Sequence, residues 1–361
     1  MIEATSRNAG PAARSWIARR SSQFLLLVLG ATIGIYARFT ISPLQETLRA
    51  ALSLSDNQMA MLQGPALALP MAAAALPLGL LIDRYVRIRL LLIFGALNLI
   101  GTLATAFSSD FAMLFMSRAI VGLAGTVIAT TSFSLLADLY PPEQRGRATM
   151  VVVIGQYAGM SAAFALGGVS IALAPGPDGW RQAMLWLSAP LCVALLFGLF
   201  LREPERTGVR MAHPAARHTL AALWDFRGIL VPLVLGLAMA EVSVLAVLTW
   251  AAPALSRTFL LSPADVGAIV AMSLVISGII GPIGGGVLAD RCQGAGGPPS
   301  TMLALAGLAL LGVPTGLFAL APGATAASAL LILFMTVIGA TLVTGITIFT
   351  VVIPNELRGL C

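Results

Sequence analysis

The chain has 361 residues, 58% of them apolar and 10% charged, with a mean hydropathy of +0.94. So little polar surface cannot cover a water-soluble globule, which places the chain among integral membrane proteins. None of its 21 cationic side chains is a lysine, so a P-loop and a lysine Schiff base are excluded, and with them ATP hydrolysis and pyridoxal chemistry. The net charge of +6 comes without an aromatic-interleaved basic face, and reads as contact with anionic headgroups and not as nucleic-acid binding.

Residues 1–21 form a polar, arginine-bearing tail, and no A-x-A-like site interrupts the apolar run that follows, so a cleaved signal peptide is not expected. Ten apolar stretches then have the length of a bilayer crossing: 22–45, 58–82, 90–108, 111–138, 149–173, 182–201, 229–252, 265–289, 301–320 and 326–353. They lack the alternation of barrel strands, which predicts an all-α polytopic protein. Sixteen of the arginines fall in the N-terminal tail and the even-numbered connections, against three, Arg49, Arg181 and Arg257, in the odd-numbered ones. By the positive-inside rule the N-terminus is cytoplasmic, and the chain is expected in the cell (inner) membrane.

Three ionisable side chains lie inside spans, where charge is costly unless it faces protein or water: Arg38 in the first, Arg118 in the fourth and Glu241 in the seventh. Glu241 sits about 18 Å into its span at 1.5 Å per residue, near the midplane, and is a candidate proton carrier or a permanent partner of an arginine. Arg38 offers a fixed charge and a planar fork of donors suited to a carboxylate or phosphate; alternatively it snorkels toward the outer interface. Arg118 is a candidate for helix packing or proton transfer, with direct substrate contact as the other reading.

In span five, Gly155, Gly159, Ala163 and Gly167 recur at i, i+4 spacing, a face that permits close helix approach. The run Gly281–Gly286 follows no strand, so a dinucleotide site is not expected there; it lets span eight bend and pack. Cys192, Cys292 and Cys361 lie far apart, and His213 and His218 in the connector have no acidic or thiol partners. No metal or cofactor is expected.

Two phrases recur in order. Gly79-Leu80-Leu81-Ile82-Asp83-Arg84 returns 207 positions later as Gly286-Val287-Leu288-Ala289-Asp290-Arg291, each expected to close a span and open a polar loop. Pro141-Pro142-Glu143-Gln144-Arg145-Gly146 is echoed by Pro354-Asn355-Glu356-Leu357-Arg358-Gly359. This marks a tandem duplication. The connector 202–228 divides an N-terminal bundle of six spans, 22–201, from four spans in 229–361. The second part is short by about two membrane-spanning helices, so the expectation is a C-terminally truncated chain.

These motifs resemble the major facilitator superfamily, whose loop between the second and third helices carries G-x-x-x-D-R-x-G-[RK]-x-[RK]. Gly79, Leu81, Asp83, Arg84, Arg87 and Arg89 fit it, and Val86 replaces a family glycine. Arg118-x-x-x-Gly122 is similar to the fourth-helix R-x-x-x-G pattern, and Gly179-Trp180-Arg181 to the sequence that opens the sixth helix. Tyr36-x-Arg38, Leu54-Ser55-Asp56-x-Gln58 and Ala137-Asp138-Leu139-Tyr140-Pro141-Pro142-Glu143 resemble the spinster-type branch. Ala37 and Leu123 stand where that branch carries acids, which removes two of its proton carriers.

The resemblance implies ten of an expected twelve helices in two pseudo-symmetric bundles, working by alternating access. It implies a cavity lined by spans one, four, seven and ten, the last with Thr336, Thr341, Thr344 and Thr347. A substrate set of Arg38, Arg118 and Glu241 follows, with Glu241 coupling protons. It also implies a cytoplasmic gate of Gly79, Asp83, Arg84, Arg87, Asp138, Arg145, Gly286, Asp290, Arg291 and Arg358, in which Arg87 pairs with Asp138. The reading is a monomeric secondary transporter in the bilayer, moving a small organic or lipid-like anion with protons. A drug exporter of the same fold and a non-transporting receptor or assembly partner are the alternatives. An enzyme is disfavoured, because the spans hold no nucleophile–base pair or metal-ligand set.

Overall fold

The computed structural model describes the backbone of residues 11–140, 142–203 and 227–352, and side chains from residue 23 on except at 75–76, 79–80, 83, 137, 142–147 and 349–352. The described residues are helical and contain no strand. The helices are α1 (Pro11–Phe39), α2 (Gln45–Ala51), α3 (Asp56–Gln63), α4 (Pro65–Arg84), α5 (Arg87–Ala106), α6 (Phe111–Leu139), α7 (Pro142–Leu173), α8 (Gly179–Gly198), α9 (Arg227–Phe259), α10 (Pro263–Gly316) and α11 (Ala324–Val352). Short 3₁₀ turns at Ser42–Leu44 and Phe318–Leu320 complete the order. Two compact units divide the chain, Met1–Gly208 and Val209–Cys361.

Eight helices among the described residues are long and apolar enough to cross a membrane, judged by length and composition. The ten predicted spans map onto these eight together with α4, because α10 contains two of them. At Gly297 (φ 67, ψ −155) its path leaves the helical region. Those angles are open essentially to glycine alone, and Pro298 and Pro299 come immediately after it. The bend therefore falls later than expected. Asp290, Arg291 and Cys292 lie within the helix and do not open a loop as the repeat suggests. In the first copy the helix does stop, as Tyr85 (φ −102, ψ 166) turns extended straight after Arg84.

Local chemistry sets several helix ends. The phrase Leu54-Ser55-Asp56-x-Gln58 is a capping box: Ser55 Oγ accepts the Gln58 N–H at 3.2 Å, and Gln58 Oε1 accepts the Ser55 N–H at 2.9 Å. Asp110 caps α6 by accepting the Met113 N–H at 2.9 Å, and Ser262 caps α10 through Asp265 N at 3.2 Å. Gly64 breaks the predicted second span, so that α3 ends there and α4 restarts with Pro65 at its first position.

In the first unit the small-residue face of α7 lies against α1. A Cβ at Gly155 would stand 2.6 Å from Thr32 Oγ1, and one at Gly159 would overlap the Thr32 carbonyl oxygen. Gly122 of α6 meets α4 equally closely, with Leu67 O 2.6 Å from where its Cβ would stand. In the second unit α10 and α11 cross at glycines: Gly281 and Gly285 touch the backbone of Thr336 and Ala340, and Thr344 Oγ1 donates to Gly285 O at 3.2 Å. Thr336, Thr341 and Thr347 donate to their own helix.

The close crossing of α1 and α7 gives a differential test. Gly159→Ala is expected to destabilise by about 1–3 kcal/mol through overpacking, whereas Gly236→Ala, with nothing within 4 Å, is expected to be neutral or slightly stabilising. Thermal unfolding of both purified variants measures this, and equal midpoints would contradict the packing account.

Candidate functional site

The last turn of α1 carries Tyr36, Ala37 and Arg38, and its terminal carbonyls have no partners within the helix. Arg118 of α6 supplies them, joined at Ala37 O by the Thr40 hydroxyl at 3.0 Å. Its guanidinium, 0% exposed, donates to Ala37 O at 3.5 Å and closely to Arg38 O. A positive charge at this end also complements the helix macrodipole. On another side, the buried Tyr36 hydroxyl donates to Leu187 O of α8 at 3.0 Å. The backbone beneath Arg38 is thereby held from two helices.

The Arg38 side chain borders a cavity of about 270 Å³ walled by α1, α4, α6 and α7. It is the one charged residue among the lining residues described; Thr126, Thr130 and Gln156 add neutral polar groups, and Leu67, Met71 and Ile128 supply apolar wall. The Thr126 and Thr130 hydroxyls donate to carbonyls of their own helix at 2.9 and 3.0 Å, which leaves their oxygens free to accept. The wall thus combines a fixed cation, two acceptors and an amide that both donates and accepts. Such a mixture of apolar surface and a few convergent polar groups is typical of small-molecule sites. Arg118, placed with the substrate residues on sequence grounds, is not among the lining residues; its guanidinium is occupied by the α1 terminus. Glu241 belongs to the second unit and is exposed on α9.

A second polar centre lies at the opposite end of the first unit. Arg87, 3% exposed at the start of α5, pairs with Asp138 of α6, lies 2.9 Å from Glu203 Oε1 through Nε, and donates to Ser134 O and Oγ at 3.3 and 3.1 Å. The other oxygen of Glu203 accepts the Ile88 N–H at 2.9 Å. One carboxylate therefore neutralises Arg87 and fills an unpaired donor at the α5 N-terminus, where the helix field favours an anion. The segment after α8 is also sewn to α1, because Gln23 donates to Phe200 O at 3.3 Å and accepts the Arg202 N–H at 2.7 Å.

Of the proposed gate residues, Arg87 and Asp138 are brought together. Arg84, Asp290 and Arg291 are exposed, and Gly286 has no neighbour within 4 Å of where its Cβ would stand. Gly79, Asp83 and Arg145 have helical backbone, but their side chains lie outside the described residues, as does Arg358 entirely. Sequence reasoning missed Glu203, which lies in the connector. It also missed the role of Arg181, which stacks 4.3 Å over Trp180 and donates to Ala106 O at 2.8 Å and Ser108 O at 2.7 Å, capping the far end of α5. The Gly179-Trp180-Arg181 motif was the available signal. Among the described residues no cluster of His, Cys, Asp and Glu has the makings of a metal site.

A sequence profile of the Major Facilitator Superfamily matches residues 27–360. The chain belongs to the major facilitator superfamily. Within the superfamily it is similar to a D-xylose transporter of Levilactobacillus brevis, 30% identical over 139 residues, which are 38% of this chain and 30% of that one. It is also similar to the human solute carrier family 2, facilitated glucose transporter member 10, at 32% over 175 residues, 48% of this chain and 31% of the relative. A triacylglyceride transporter of Mycolicibacterium smegmatis is 35% identical over 142 residues, 38% of this chain and 24% of its own length. The matched region thus spans about a third or less of these curated relatives.

Among solved structures, a bacterial homologue of the human lysosomal transporter Spinster, inward-facing and unoccupied, superimposes with a TM-score of 0.80 at 22% identity, covering 95% of this chain and 77% of the other. A D-xylose–proton symporter gives 0.69 at 18% identity, covering 94% and 84%. At these identities the likeness is one of fold.

The Arg87 centre predicts unequal losses. Arg87→Ala removes the shared cation from two carboxylates and is expected to destabilise by about 3 kcal/mol or more, as when one member of a buried ion pair is deleted. Glu203→Gln keeps most of the packing and is expected to lose about 1.5 kcal/mol, the worth of a charge-assisted hydrogen bond. Unfolding of the two variants in detergent compares them, and a larger loss for Glu203→Gln would show that Arg87 is not the centre.

Proposed function

We propose that this chain is a secondary active transporter of a small organic or lipid-like anion, working by alternating access with proton coupling through Glu241. The observation that carries the anion is Arg38: a cavity in the first unit with one guanidinium on its wall and apolar surface around it favours a ligand with one anionic group. An acid in the apolar helix α9, at a depth where charge needs a purpose, supports the coupling role. The proposed setting is the cell (inner) membrane, with the N-terminal tail and the connector cytoplasmic, as the arginine distribution supports. The Arg87–Asp138–Glu203 centre then belongs to the cytoplasmic side and acts as the first unit's gate element with Gly79, Asp83, Arg84 and Arg145; Gly286, Asp290, Arg291 and Arg358 are proposed for the same role within the second unit.

A second reading is a neutral sugar. Thr126, Thr130 and Gln156 are the groups a polyol needs, and two of the relatives named above carry sugar-transporter names. Counterflow in proteoliposomes separates the two: the anion reading expects small carboxylates or phosphates to exchange and sugars not to compete. Competition by sugars, undiminished in Arg38→Gln, would favour the polyol. For the anion, Arg38→Gln is expected to raise the half-saturating concentration about tenfold or more, the equivalent of ~1.4 kcal/mol. Glu241→Gln is expected to abolish pH-driven uptake while substrate exchange persists; pH-driven uptake at the original rate would end the coupling role.

A further inference from the structure

A second, smaller and partly open pocket of about 30 Å³, here called the Asn98 void, lies in the first unit between α1, α5, α6 and α8. Apolar side chains and four glycines, Gly30, Gly34, Gly95 and Gly198, line it, and Asn98 is the polar side chain among them. Asn98 is 1% exposed, and neither its Oδ1 nor its Nδ2 has a hydrogen-bond partner among the described residues. Buried polar groups are nearly always satisfied, by protein or by ordered water, because an unmet amide loses its solvation without return. An amide offers two donors and an acceptor with two lone pairs, the complement of what water offers.

The volume suits that partner. A water molecule needs roughly 10–15 Å³ of this kind of space, so the void holds one or two. The four glycines let Leu91, Ile128, Leu195 and Leu92 pack close to the helix backbone, which leaves the Asn98 amide as the polar side chain of the wall. Gly34 and Ile128 also border the larger cavity, and a Cβ on Gly34 would stand 3.0 Å from Ile128 Cγ2. Ile128 rests directly on α1 there and forms the partition between the two spaces.

We propose that the Asn98 void is an internal hydration site, holding one or two water molecules bonded to the Asn98 amide and separated from the larger cavity by Ile128. The test is brief X-ray radiolysis of the purified protein in ¹⁸O water, with oxidation read residue by residue by mass spectrometry. Hydroxyl radicals born from bound water attack their immediate neighbours, here Leu91 and Leu191, which are 6% and 3% exposed and line the void. Leu62 and Leu114, both 0% exposed and not lining it, are the references. The expected result is oxidation of Leu91 and Leu191 several-fold faster than the references, with the excess lost in Asn98→Leu and kept in Asn98→Ser. Equal rates in the unaltered protein mean a dry void and overturn the proposal. So does an excess unchanged in Asn98→Leu, or, should that variant not fold, an excess lost in Asn98→Ser.

Discussion

The end of α1 depends on a fully buried guanidinium. Arg118, itself 0% exposed, donates to the last two carbonyls before Phe39, and its charge opposes the negative end of the helix. Burial of such a group is tolerable only with partners in place, so the arrangement is stringent: α1 and α6 must meet at this depth and in this register. Much else in the first unit depends on that register. Tyr36 reaches Leu187, Arg38 is set on the cavity wall, and Gly122, one turn along α6 from Arg118, lies where α4 comes closest.

The fold was legible because its determinants are local. Apolar run length gives crossings, and the caps found at Ser55, Asp110 and Ser262 bind N–H groups only three residues ahead. The pair Asp290-Arg291 is the exception: it copies a phrase that ends a helix in the first unit, yet its helix runs on to Gly297. The first copy stops because of the residues beyond the phrase, where Tyr85 turns extended and Arg87 is seized by Asp138 and Glu203. In the second copy the position matching Arg87 is Gly294, which has no side chain to be seized. Sequence identity within a repeat does not carry the tertiary partner that makes the repeat behave.

The site was legible in kind more than in arrangement. Intramembrane charge singled out Arg38, Arg118 and Glu241 by cost, but cost cannot say whether a guanidinium meets a ligand or a carbonyl. Arg38 borders a cavity while Arg118 is turned to the carbonyls at the end of α1, and only the structure of that end distinguishes them. The roles of Glu203 and Arg181 escaped notice because charge near a helix end is ordinary in sequence; their partners include Ile88 N and the Ala106 and Ser108 carbonyls, backbone groups that no motif displays.

The stitching of residues 200–203 bears on how force passes along the chain. Helix α8 ends at Gly198, but Phe200 and Arg202 are fastened to Gln23, and Glu203 is fastened to the first turn of α5. The chain leaving α8 is therefore held by an anchor shared by α1 and α5, and not by α8 alone. Tension on that segment is delivered to the very helices that bear Arg38 and Arg87, so the connector is harnessed to both polar centres of the first unit.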